Sequence, residues 1–148
     1  MTVFDDLLAE ADAQPAEGWD FFWFNGRATE ERPSWGYARL ISQRMITASS
    51  ALDIQTGGGE VLAGIHSRPP RLVATESWLP NVEVARLNLR ALGASVVAVA
   101  DDALPFSSGS FDLVVSRHPV RTPWGGDRTG AYPRGDVPLA ASRSRNEP

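Results

Sequence analysis

The run Ala51-Leu52-Asp53-Ile54-Gln55-Thr56-Gly57-Gly58-Gly59-Glu60 constrains this chain more than any other part of it. A short apolar stretch that empties into consecutive glycines reads as a β-strand delivered into a backbone turn, and Val61, Leu62 and Ile65 continue it at helical spacing up to Pro69-Pro70. Glycines let a backbone approach a ligand where a Cβ would collide. The helix behind the turn adds free N–H groups and the positive end of its dipole. Several nucleotide-binding classes open in this way, so the companions of the loop must separate them.

The alternation continues downstream. Arg71-Leu72-Val73-Ala74-Thr75 is a second strand that ends on Glu76. Pro80 suits the first turn of a helix whose inner face is Val82, Ala85, Leu89 and Leu92, with Gly93 closing it. Ser95 to Ala100 reads as a third strand, and its weak alternation predicts burial on both faces. Phe111-Asp112-Leu113-Val114-Val115 reads as a fourth. Strands separated by helix-length segments imply a parallel sheet with right-handed crossovers, an α/β fold of the Rossmann-like class.

Upstream, Val3, Leu7, Leu8 and Ala11 recur at helical spacing and stop before Pro15, and Ala38 to Met45 reads as a second helix with Leu40, Ile41 and Met45 turned inward. Between them lie Gly18-Trp19-Asp20-Phe21-Phe22-Trp23-Phe24, then Trp35 and Tyr37. This aromatic load is expected to form a cap packed on the core; the sharper reading makes it one wall of an acceptor pocket.

Composition excludes some functions. The chain has 148 residues, enough for one domain with a real core. A formal net charge of −4 and the absence of a Lys/Arg cluster with interleaved aromatics give no nucleic-acid-binding surface, so the default partner is a small molecule. Without cysteine there is no disulfide, thiolate nucleophile or Cys-based zinc site, and no metal is expected. Asp5, Asp6, Glu10 and Asp12 rule out a signal peptide at the N-terminus, and no apolar run approaches the ~20 residues of a membrane span. A cytoplasmic location is expected.

The glycine loop can now be sorted. A P-loop requires Gly-Lys-Ser/Thr where Glu60-Val61 stands. A dinucleotide fingerprint counted from Gly57 places Leu62 where a small residue must allow close helix–strand packing, so an NAD-dependent Rossmann enzyme is the runner-up. The remaining features agree in order and spacing. Asp53-Ile54-Gln55-Thr56-Gly57-Gly58-Gly59 matches Asp-x-Gly-x-Gly-x-Gly with Gln55 in place of the first glycine; Glu76 ends the second strand; Asp101-Asp102 follow the third; and Leu104-Pro105-Phe106 leads through Phe111-Asp112-Leu113-Val114 into the fourth. This set resembles the class I S-adenosylmethionine-dependent methyltransferases over about residues 50 to 120.

The resemblance implies S-adenosyl-L-methionine as cofactor. Asp53, Gln55, Thr56, Gly57 and Gly59 would form its loop, Glu76 with Ser77 would hold the ribose through a carboxylate that can accept from two hydroxyls, and Asp101 or Asp102 would lie near the adenine. Asp53 could equally organise the loop alone. Asp112 reads as a brace. His118, after the fourth strand, is either a general base for a protonated acceptor or a structural histidine held by Pro119. The implied activity is methyl transfer to a small-molecule acceptor, with a non-catalytic nucleotide-binding remnant as the alternative.

The resemblance also divides the chain: residues 1–49 as the helical cap, 50–120 as the first four strands of the cofactor-binding core, and 121–148 as a tail. After Trp124 the text turns rich in Gly, Pro, Arg and Ser without period, where the family places a helix and a fifth strand joined by Pro-Gly-Gly. Codons exist for Gly125 to Ser142 that, read one nucleotide later, spell Glu-Glu-Ile-Ala-Arg-Val-Leu-Thr-Pro-Gly-Gly-Thr-Tyr-Leu-Ser-Gln. Arg, Asp, Tyr and Val each fix two bases, which leaves little room for coincidence. The expectation is a one-base insertion near the Trp124 codon, a truncated core with an exposed fourth-strand edge, weak stability and little turnover.

Overall fold

The computed structural model describes residues 2–15, 18, 22–29, 31, 34–101, 103–107 and 109–119. The Asp102 position and the tail from residue 121 onward, including the shifted-frame segment, lie outside these residues.

Helix α1 (Val3–Asp12) opens with Thr2, whose hydroxyl accepts from the Asp5 N–H while the Asp5 carboxylate accepts from the Thr2 backbone, a reciprocal cap that fixes the start. A short 3₁₀ turn (Phe22–Phe24) and α2 (Tyr37–Thr47) follow. Then come β1 (Ser50–Asp53), α3 (Glu60–Ala63), β2 (Arg71–Glu76), α4 (Leu79–Leu89) with a 3₁₀ extension at Arg90–Leu92, β3 (Ser95–Ala98) and β4 (Leu113–Val115).

All pairings are parallel and the sheet order is β3-β2-β1-β4. The sheet grows from β1 through β2 to β3, then reverses so that β4 lies on the other side of β1. A crevice therefore opens at the carboxyl ends of β1 and β4, where the chain direction of growth switches. Pleating sends alternate residues to opposite faces. Ala51, Leu72, Ala74, Leu113 and Val115 pack with Ile41, Met45, Leu62, Ala85 and Leu89, whereas Leu52, Val73 and Val114 pack with Ile54 and Phe111. Both faces of the central strands are thus buried, as a parallel sheet requires.

The α4 face is as the spacing predicts at Val82, Ala85 and Leu89, which are buried, whereas Leu92 falls beyond the helix in the 3₁₀ extension and is half-buried; Pro80 stands in the first turn, and Gly93 ends the extension in the left-handed region at φ 64°. Three expectations shift. The third strand stops at Ala98, and its residues are half-buried or exposed because β3 is the edge of the described sheet, with a neighbour on one side only. α3 spans four residues and stops at Gly64, well short of Pro69. And while α2 enters the core through Ile41 and Met45, α1 buries none of its residues; Val3, Phe4, Leu7 and Leu8 are exposed. Of the described aromatics upstream, Tyr37 packs against the core, whereas Trp23 packs locally, edge-on to Phe24, with Arg27 stacked 4.7 Å over its ring and paired with Glu10. Gly18 is tied to the body of the fold by an N–H donated to Asn81 on α4.

Candidate active site

The glycine turn begins where β1 runs out. Ile54 and Thr56 still donate backbone N–H groups to Val115 and Thr75, at 2.8 and 2.9 Å, so the turn is clamped between the ends of β4 and β2. Asp53, the last residue of β1, is buried, and its Oδ2 accepts from the Thr56 hydroxyl at 2.7 Å. Burial pushes its carboxyl up to about 7; the Thr56 hydroxyl opposes this and the negative charge of Glu76 adds to it.

Glu76, at the end of β2, is buried rather than solvated. Its Oε2 accepts from the Gly57 N–H at 2.8 Å, and its Oε1 accepts from the Ser77 and Trp78 N–H groups at 3.0 and 2.9 Å. One carboxylate thereby brackets the glycine turn to the approach of α4. Of the roughly four lone-pair positions on a carboxylate, these three donors leave about one on Oε2.

The glycines divide their duties. Gly59 has φ 77°, and a Cβ there would lie 2.9 Å from Leu89 Cγ on α4, so Gly59 is required for loop–helix packing. The Gly58 carbonyl accepts from the Asn88 amide at 2.8 Å, which fastens the same loop to the same helix. The turn is held rigidly. The expected helix dipole behind it has little basis, because α3 is barely one turn long and the side chain of Glu60 folds back beside Gly58.

A small pocket open to solvent lies over this turn, lined by Tyr37, Ile41, Asp53, Gln55, Thr56, Val61, Leu62 and Arg117. It gathers residues from α2, the β1 end and the residues after β4. The Tyr37 hydroxyl is buried without a hydrogen-bond partner, as is the Ser116 hydroxyl at the β4 end. Burial and the nearby Asp53 push the Tyr37 phenol well above its ordinary value, with Arg117 pulling the other way.

Of the residues expected from sequence, Asp53, Gln55 and Thr56 line the pocket, and Glu76 and Gly57 are joined beside it. Ser77 contributes its backbone N–H to Glu76. Asp101 lies three residues beyond β3, half-buried. His118 is exposed, and its neighbour Arg117 is the one that lines the pocket. Asp112 braces, as its spacing suggests: its Oδ2 accepts from the Ser49 and Ser50 N–H groups. Sequence offers Tyr37 only among the upstream aromatics, as part of a wall of an acceptor pocket, and singles out neither Ile41 nor Arg117 as a ligand group. No local pattern marks residues that meet a loop only through the sheet order.

The family model of the methyltransferase domain matches residues 52–122, which contain the glycine turn, Glu76 and β4. Solved structures similar to the chain include the YcgJ protein of Bacillus subtilis at 21% identity and TM-score 0.48, covering 55% of this chain and 37% of that one. An amino pentose methyltransferase of Micromonospora echinaspora, solved with S-adenosylmethionine bound, aligns at 23% identity and TM-score 0.49, covering 64% and 39%. A ribosomal protein L11 methylase of Lactobacillus delbrueckii aligns at 22% identity and TM-score 0.45, covering 54% and 43%. The chain thus spans less than half the length of each. No curated protein matches it by sequence.

Proposed function

We propose, on the premise that residues 52–122 are a class I methyltransferase domain, that the crevice at the β1–β4 switch binds S-adenosyl-L-methionine and that the protein belongs to a methyl-transferring enzyme. The observation that carries this is the Glu76 bracket. A buried carboxylate at the end of β2 is locked to the glycine turn with acceptor capacity to spare, beside a pocket holding an unpartnered phenol. These groups fit an adenosine sulfonium: the free position on Oε2 suits one ribose hydroxyl, one fewer than the bare carboxylate would take. Asp101 is assigned to the adenine side, as the first acid after β3.

When bound, the cofactor supplies a methyl group already activated by positive sulfur, so the protein's contribution is placement. Rigid backbone at Gly57 to Gly59, fixed by Glu76, Asn88 and Leu89, holds the ligand's position. The apolar side chains of Ile41, Val61 and Leu62 exclude water from one wall. His118, exposed beside Arg117, is assigned the proton of an acceptor that must lose one. A net charge of −4 supports a small-molecule acceptor over a nucleic acid. Among the described residues no helix is long and apolar enough to cross a membrane.

A nicotinamide cofactor is the less fitting ligand. Leu62 stands where the dinucleotide fold needs a small residue, and its side chain is fully buried in the core. Isothermal titration with S-adenosylhomocysteine and with NAD decides between them. Saturable binding of the first alone is expected; binding of NAD alone, or of neither, overturns the proposal.

A further inference from the structure

Helix α1 has 10 residues and buries none of them. Helices shorter than about 12–15 residues are marginal in water unless a packed face holds them, and a cap at one end supplies only part of the difference. Its apolar side is nonetheless continuous. Val3, Phe4, Leu7 and Leu8 share one face, with Val3 78% and Phe4 67% exposed. The helix also carries Asp5, Asp6, Glu10 and Asp12 and no base. By helical spacing Asp12 borders the apolar stripe on one side, and Asp6 and Glu10 border it on the other. Asp5 is spent on the cap and Glu10 on Arg27 and Trp23. Asp6 and Asp12 remain beside the stripe without an ion-pair partner among the described residues.

A face of the opposite sign lies on α4. Its inner side is Val82, Ala85 and Leu89; on its outer side Leu79 and Leu87 stand about two turns apart, 68% and 74% exposed, behind a half-open Trp78 at the helix start. Glu83, between the two leucines, is neutralised by Arg86 at 2.5 Å. Arg90, on the same side, has no acid partner among the described residues. The chain thus presents one apolar stripe with acidic edges and another with a basic edge, and within a single molecule neither covers the other.

We infer that α1 of one copy docks on the outer face of α4 of a second copy, and the reverse, in a twofold dimer. Charge selects this pairing. α1 laid on α1 would set Asp6 and Asp12 against their own counterparts, and an anionic bilayer would repel the same acids, whereas the α4 face offers leucines with Arg90 beside them. Reciprocity doubles a contact that alone would be small for a stable pair.

Sedimentation velocity of the full chain, from micromolar to submillimolar concentration, measures the association. Two double variants at exposed positions accompany it: Phe4→Ser with Leu8→Ser, and Leu79→Ser with Leu87→Ser. The expected result is a reversible monomer–dimer equilibrium that weakens with added salt, each double variant raising the dimer Kd by roughly tenfold or more. Mixing the two variants is expected to recover part of the dimer, because the intact α1 of one can still reach the intact α4 of the other. A monomer at every concentration overturns the inference, as does open-ended aggregation without a discrete dimer. So does a dimer that survives the α4 substitutions, which would be α1 paired with itself, or one that the mixed variants fail to re-form.

Discussion

Replacing Glu76 by glutamine keeps the shape of the side chain and exchanges one acceptor oxygen for an NH₂ donor. With the amide oxygen turned toward Ser77 and Trp78, the new NH₂ faces the Gly57 N–H, donor against donor; in the opposite orientation it faces two donors. The first orientation costs less, so the loss falls on Gly57. That residue is buried, and water cannot take the place of the lost acceptor. A charge-assisted hydrogen bond disappears and a buried donor is stranded, together about 3 kcal/mol. For a chain of this size each kcal/mol moves Tm by about 2–4 °C, so thermal unfolding followed by circular dichroism should show a drop of roughly 6–12 °C. Glu76→Ala strands the same Gly57 N–H, while the exposed Ser77 and Trp78 backbones turn to solvent. It should therefore cost about as much as glutamine rather than three times as much. A glutamine variant that melts within about 2 °C of the parent refutes the bracket; an alanine variant far less stable than the glutamine one refutes the assignment of the cost to Gly57.

Other consequences follow from the same geometry. Asp53 holds its proton up to about pH 7 in the folded protein while the unfolded chain releases it near the ordinary carboxylate value of 3.8. The folded state binds the extra proton between those values, so this group makes stability fall as pH rises from about 4 to 7, by at most roughly 1.4 kcal/mol per pH unit. Asp53→Asn should flatten the Tm-against-pH profile in that window; an unchanged slope counts against the buried, protonated carboxyl. Gly59→Ala combines left-handed strain with a clash on Leu89 and should lose about 2–4 kcal/mol in urea unfolding, whereas Gly26→Ala, with a similar φ and open space around it, should lose only about 1. Equal losses at the two positions would remove the packing argument. A DNA read across the Trp124 codon should show the extra base in a G run, and the frame-corrected chain should melt higher and transfer labelled methyl groups; an intact frame on a clean read ends the insertion hypothesis.

Much of the fold was legible because it is written locally. The β1 run empties into glycines, β2 ends on Glu76 and β4 on Val115 as the apolar stretches do, and the α4 stripe is buried where its period placed it. Burial of β3 was misjudged because uniform apolarity describes a strand's composition and leaves its place in the sheet open; order β3-β2-β1-β4 puts it at the edge. The ends of α3 depended on Gly64 rather than on the more conspicuous Pro69-Pro70. In the site, the acids at strand ends were readable because a parallel sheet sends them to one rim. What Gly59 does was not, since Leu89 lies thirty positions away. Tyr37 and Arg117 are farther apart still, and they share a pocket only because β4 returns to the open side of β1, beside α2.

A crystal structure with S-adenosylhomocysteine tests the proposed site most directly. The expected complex has one ribose hydroxyl on Glu76 Oε2, the adenine toward Asp101, and the thioether over the Gly57–Gly59 turn. A ligand seated elsewhere on the fold, or a turn closed against it by Gln55, would contradict the assignment.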